Sequence, residues 1–170
     1  MTMRNRKKSQ TGFSLVELMI AISVLALLLT LAVPSFREAG LSGQLRSSAN
    51  DLAASARFAR SQAIKQNTVI TLCVSASGAS CSGGGWEQGW IVVKGAAVLQ
   101  HRAASPGGMK IAEANGVTSI DFQPTGLGAT PAALTVCRAT PSVGSQERVV
   151  NIDATGRPRV RITKNAACPA

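Results

Sequence analysis

Very little in this 170-residue chain could do chemistry. It has one histidine, His101, and only 8 acidic residues against 18 basic ones. No acid/base pair, nucleophile motif or metal-ligand spacing accompanies His101, so general acid–base, covalent or metal-assisted catalysis finds little support. The chain therefore reads as a non-enzyme without cofactor or metal, and His101 as a surface strand residue. Its four cysteines, Cys73, Cys81, Cys137 and Cys168, form no CxxC pair of the zinc or redox kind. The run Gly83-Gly84-Gly85 lacks the following Gly-Lys-Ser/Thr of a phosphate loop, so it reads as a turn, with Trp86 packed near Trp90. There is no internal repeat, and the length leaves room for one ordinary domain and an anchor, not for two large domains.

What the chain does have is positive charge and one long apolar run. The net charge is +10; removing Arg4, Arg6, Lys7 and Lys8 at the N-terminus leaves +6 (10 − 4). A basic exported protein can meet nucleic acid, anionic lipid or an acidic protein, and net charge does not choose among them. The four cations precede a stretch, Leu18 to Val33, that contains no charge and only Ser23 and Thr30 as polar residues. By the positive-inside bias the N-terminus stays cytoplasmic and the C-terminal bulk crosses the membrane. From Phe13 to Val33 an α-helix is about 31 Å long, roughly one bilayer core. A secretory signal peptide is the weaker reading, because no clear small-x-small cleavage site follows and Glu17 would open the apolar region. An ionised Glu17 in hydrocarbon costs about 2.5 to 3.5 kcal/mol unless it finds a partner. A local capping box, Ser14-Leu15-Val16-Glu17, and the positive helix N-terminus offset part of that.

The segment Gly12-Phe13-Ser14-Leu15-Val16-Glu17-Leu18 resembles the prepilin cleavage motif of type IV pilins and type II secretion pseudopilins. The resemblance implies that a prepilin peptidase cuts after Gly12 and N-methylates Phe13. It also implies that Glu17 pairs with the N-terminal amine of a neighbouring subunit during assembly. The expected organisation is then a leader over 1–12, a transmembrane and filament-core helix over 13–34, an amphipathic helix over 35–67 and a β-rich head over 68–170. The subunit is expected in the inner membrane with its head in the periplasm, and afterwards in a filament at the cell surface.

Pro34 removes a backbone donor and is expected to kink or weaken the helix, with Gly40 and Gly43 marking a soft joint. Beyond it Leu45, Ala49, Leu52, Ala56, Ala59 and Ala63 recur at spacings of three or four, a stripe fit to pack under the head. Arg46, Arg57, Arg60 and Lys65 lie mostly off the stripe and read as a solvated face. After Asn67, short runs rich in Val, Ile and Thr predict antiparallel strands near 68–74, 89–94, 97–102, 117–123, 133–138, 147–152 and 157–163. The fold class is α+β, a long N-terminal helix packed on an antiparallel head. An even cysteine count suits two disulfides in an oxidising compartment. Three connectivities are possible, and pairing Cys73 with Cys81 and Cys137 with Cys168 closes the shortest loops; buried free thiols are the alternative. The Ser/Gly-rich stretch 75–85 then reads as a disulfide-closed loop. The stretch from Ala59 to Asn67, with Ile120-Asp121-Phe122-Gln123-Pro124-Thr125-Gly126 and Ile152-Asp153-Ala154-Thr155-Gly156-Arg157, resembles the FimT/GspH branch of the pilin superfamily.

One segment is a candidate site. Arg157, Arg159 and Arg161 alternate with Pro158, Val160 and Ile162, so a strand would place all three arginines on one face. Their pitch of about 7 Å is comparable to the phosphate spacing along one DNA strand, and arginine forks suit phosphate oxygens. Lys164 and Arg148 would extend the patch, while Asp153 and Glu147 temper it. The bland alternative is an edge strand protected by charge and Pro158. Gly156-Arg157-Pro158-Arg159 resembles the GRxR motif of FimT proteins that bind DNA in natural transformation. That resemblance implies a minor pilin binding extracellular DNA through phosphates. The competing expectation is a structural minor pilin, or a type II secretion pseudopilin, that primes assembly without DNA.

Overall fold

The computed structural model describes residues 12–139, 147–163 and Cys168. Residues 1–11 of the expected leader and Lys164 of the expected cationic patch lie outside the described residues. Two compact units divide the chain, the first ending at Ala39 and the second comprising Gly40–Ala170.

The first unit is helical. Helix α1 (Leu15–Gln66) begins here with Glu17 in its first turn and Pro34 inside it. The Ser14 carbonyl accepts the Leu18 N–H at 3.1 Å, but among the described residues the Ser14 and Glu17 side chains make neither of the expected capping-box bonds. The two polar residues of the apolar run bond to their own helix: Ser23 donates to the Met19 carbonyl (2.8 Å) and Thr30 to the Leu27 carbonyl (2.7 Å). That is how hydroxyls are accommodated where water is absent. Every large apolar side chain from Phe13 to Phe36 is exposed. The segment is long and apolar enough to cross a membrane, and lipid or neighbouring helices are the surroundings in which such a surface is stable.

The second unit is built on the remainder of α1. The stripe from Leu45 to Ala63 is fully buried, together with Ala53 and Ser55. Small residues let the sheets approach the helix backbone, and Ser55 accepts a hydrogen bond from Trp90 Nε1 at 3.0 Å. The helix ends at Asn67, which takes the left-handed conformation (φ 47°) while the Thr68 N–H reaches the Ala63 carbonyl at 3.2 Å; asparagine tolerates that conformation better than most residues.

The strands are β1 (Ile70–Val74), β2 (Trp90–Lys94), β3 (Ala97–Arg102), β4 (Met109–Glu113), β5 (Ser119–Phe122), β6 (Ala132–Arg138), β7 (Glu147–Ile152) and β8 (Pro158–Thr163). They form two four-stranded sheets with every pairing antiparallel, in the orders β3-β2-β1-β5 and β4-β6-β7-β8. The core joins α1 to Leu72, Trp86, Trp90, Phe122, Leu134 and Val150 among others, so both sheets share it. Strand β4 was not among those expected from the sequence; Met-Lys-Ile-Ala-Glu follows Pro106-Gly107-Gly108 and carries three residues of poor strand propensity. Both expected disulfides form, Cys73–Cys81 across the 75–80 loop and Cys137–Cys168 tying the chain end to β6.

Candidate functional site

The two loops ending in Gly126 and Gly156 have the same local form. Gly126 N–H bonds to the Gln123 carbonyl at 3.0 Å and Gly156 N–H to the Asp153 carbonyl at 2.8 Å, and both glycines have positive φ (72° and 67°). Each is also pressed against α1: a Cβ on Gly126 would stand 3.1 Å from Arg60 and Ile64, and one on Gly156 would stand 3.1 Å from Arg60 and 3.2 Å from Phe122. Glycine is required at both for backbone conformation and for space.

Arg60 binds the loops together. Its Nε donates to the Thr155 carbonyl at 2.9 Å and its Nη2 to the Gly126 carbonyl at 3.2 Å. It is half-buried, so this arginine does not belong to a solvated face as its position off the stripe suggests. A guanidinium can satisfy two carbonyls from different segments because its donors are fixed in one plane. The Asp153 carboxylate completes the turn, accepting from the Thr155 N–H (2.9 Å), the Thr155 hydroxyl and the Arg157 N–H (3.3 Å). The Thr155 hydroxyl, the two backbone donors and the nearby Arg159 charge hold its carboxyl below the usual range.

From this turn the chain enters β8. Pro158, Val160 and Ile162 pair with Ile152, Val150 and Arg148, whereas Arg159 and Arg161 pair with Asn151 and Val149. Val150 and Ile152 are buried, so their face of the sheet is the inner one, and Val160 packs against the same core. Arg159 and Arg161 therefore point to the outer face, and both are exposed, as is Arg157 one residue before the strand. Because β8 ends its sheet, the outer row lies along an edge.

One of the expected neighbours stands elsewhere. Arg148 lies opposite Ile162, on the face away from the row; it is 8% exposed and donates to the Glu147 carbonyl at 3.1 Å. It does not extend the patch. Glu147, opposite Thr163, lies on the row's own face; it is buried and accepts from the Thr163 hydroxyl at 3.2 Å. His101 is exposed on β3, as expected of a surface strand residue.

Beside the row, α1 and the start of β8 enclose a groove of about 520 Å³. Sequence reasoning missed it, because it depends on bringing Arg57, Ile64 and Lys65 of the helix against Arg157 and Pro158. Among the described residues no group of histidine, cysteine and acidic side chains is arranged to hold a metal.

The model of the family described as "Type II transport protein GspH" matches residues 48–156, and that of the prokaryotic N-terminal methylation motif matches residues 7–33. No curated protein matches the chain at a significant level. Two crystal forms of the type IV minor pilin FimU of Pseudomonas aeruginosa PAO1 share its fold. One aligns at 22% identity and TM-score 0.52 over 69% of this chain and 91% of FimU. The other aligns at 21% identity and TM-score 0.55 over 71% and 88%. The minor pseudopilin EpsH of the Vibrio cholerae type 2 secretion system aligns at 10% identity and TM-score 0.49 over 71% of this chain and 97% of EpsH. The methylation motif implies processing by a prepilin peptidase and assembly with other pilin subunits. With the family model covering more than half of its length and that motif preceding it, the chain belongs to the GspH family, as a type IV minor pilin or pseudopilin of the GspH/FimT type.

Proposed function

We propose that this protein is a minor pilin of a type IV pilus that holds extracellular DNA through the phosphates, for uptake in natural transformation. The observation carrying this reading is the row Arg157, Arg159 and Arg161, exposed in phase along an edge strand with no carboxylate within ion-pair distance of it among the described residues. The row is held from both ends: Asp153 and Arg60 fix the turn before it, and Cys168, joined to Cys137, restrains the chain after it. Lys164, which lies outside the described residues, would add a fourth cation. Such contacts track a backbone and carry little sequence preference.

In the same proposal the leader over 1–12 is removed, Phe13 becomes the methylated N-terminus, and Glu17 pairs with a neighbouring subunit's amine as the helix leaves the inner membrane for the filament. The head then lies in the periplasm before assembly and at the cell surface afterwards. The test is a gel shift of DNA with the full chain in non-ionic detergent. Arg157→Gln with Arg159→Gln should weaken binding at least tenfold; unchanged affinity would remove the row from the site.

A second reading, a structural subunit that primes a pilus or a secretion pseudopilus, draws on the uncovered apolar helix and Glu17 alone. Under it, Glu17→Ala blocks incorporation and the arginine variants leave both filaments and transformation intact. Loss of transformation with normal piliation in the arginine variants rejects it.

A further inference from the structure

The groove beside the row has a chemical character of its own. Its floor is apolar, formed by Ile64, which is 46% exposed, and Pro158. Arg57, Lys65 and Arg157 stand around it, and the Ser61 hydroxyl, which donates to the Phe58 carbonyl at 2.8 Å, lines it too. Arg60 lines it as well, but its guanidinium is engaged by the Thr155 and Gly126 carbonyls. No acidic residue lines the groove, and none is ion-paired with the three cations at its rim among the described residues. About 520 Å³ lies within the roughly 300–1,000 Å³ of small-molecule sites.

An apolar floor ringed by unpaired cations fits an occupant with a flat apolar body and an attached negative charge. Arg157 belongs both to this rim and to the head of the phosphate-binding row. A strand tracked by the row thus arrives at the groove with a phosphate in place and its next base within reach. In a duplex that base is stacked and paired; in a single strand or a frayed end it is free to turn aside.

We infer that the groove between α1 and β8 receives an unpaired nucleobase of the bound DNA, so that the protein favours single strands and strand ends over duplex. This inference rests on the DNA-binding reading and adds the form of DNA that the site takes. The base lies on Ile64 and Pro158, the Arg157 guanidinium holds the adjoining phosphate, and Arg57 and Lys65 supply the remaining positive field.

The experiment compares a short single-stranded oligonucleotide with a blunt duplex of the same sequence, by fluorescence anisotropy on the full chain in non-ionic detergent. Ile64→Glu places a negative charge on the groove floor at an exposed position, and Arg159→Gln with Arg161→Gln weakens the row alone. The expected result is that the single strand binds about tenfold tighter, a preference that Ile64→Glu abolishes while duplex affinity stays within about twofold. The row variant lowers both forms together. Equal affinity for the two forms, or an Ile64→Glu variant that weakens both alike, overturns the groove assignment and leaves the row standing. An Ile64→Glu variant that binds both as wild type but fails to enter filaments assigns the groove to a neighbouring subunit and overturns it too. Failure of the wild type to bind either probe sinks the underlying reading and the inference with it.

Discussion

Arg60 is the residue on which the geometry of the site turns, and replacing it by methionine should show this. The substitution keeps an aliphatic stem against Gly156 and removes both donors, leaving the Thr155 and Gly126 carbonyls without their partner. Hydrogen bonds from a charged donor contribute about 1.5–3 kcal/mol each when buried. Arg60 is only half-buried, so about 1 kcal/mol each is the better figure, and some packing is lost with the planar head. The expected destabilisation is about 2–3 kcal/mol. For a unit the size of Gly40–Ala170, each kcal/mol moves Tm by about 3–5 °C, which gives a fall of roughly 6–15 °C. Thermal and urea unfolding of that unit, which contains every buried hydrophobic residue among the described ones, would measure it. Arg46→Met, on the exposed face, is the control and should change stability by less than about 0.5 kcal/mol. DNA affinity should fall in Arg60→Met as well, because the turn presenting Arg157 is released. If Arg60→Met is as stable as the control, the two carbonyl contacts do not hold the loops, and the pre-ordered row loses its support.

The other expectations are independent of that residue. Replacing Cys137 and Cys168 by serine opens a loop of sequence separation 31, worth about 3.5 kcal/mol on chain-entropy grounds, against about 2.5 kcal/mol for the separation of 8 between Cys73 and Cys81. Denaturant midpoints should rank the two variants in that order, and only the first should weaken DNA binding. Acid should destabilise the second unit through Glu113 and Asp153. Burial opposes ionisation of Glu113, but the N–H groups of Val117, Ala133, Asn115 and Ala114 outweigh it and hold the carboxyl below its ordinary value. Asp153 is held down chiefly by the Thr155 hydroxyl. With folded values below unfolded ones, their contribution is present above about pH 4 and is lost as pH falls through the folded values. Glu113→Gln should therefore lower stability at pH 7 and flatten the decline below pH 4, as read from urea midpoints; an unaltered pH profile would contradict the assignment. Glu17→Ala should abolish filament incorporation, scored by shear-fraction immunoblot, while leaving the unfolding of the second unit unchanged.

Elements whose physics is local could be read from the residues. The helix stripe from Leu45 to Ala63 announces itself by its period, and seven of the strands by their Val, Ile and Thr content between turn residues. Sequence-neighbour disulfides followed from loop length. What escaped depends on tertiary placement. Strand β4 is an ordinary Met-Lys-Ile-Ala-Glu run that is a strand because β6 pairs with it. Arg148 looked like an extension of the row because it is close in sequence and basic; the register of β7 against β8, which no local pattern fixes between adjacent Val149 and Val150, puts it on the other face. Arg60 sits off the apolar stripe and so reads as solvated, yet it meets carbonyls 66 and 95 residues away. A hint was available in the two similar loops ending in Gly126 and Gly156, since two tight glycine turns of one form need a common support.

The most direct test of DNA binding by the edge-strand row is the salt dependence of duplex affinity, for wild type and for a variant carrying Arg157→Gln, Arg159→Gln and Arg161→Gln. If all three arginines contact phosphates, the log–log slope should become shallower by about three units, with the largest affinity difference at low salt. Parallel slopes and equal affinities would show that DNA, if bound at all, is held elsewhere.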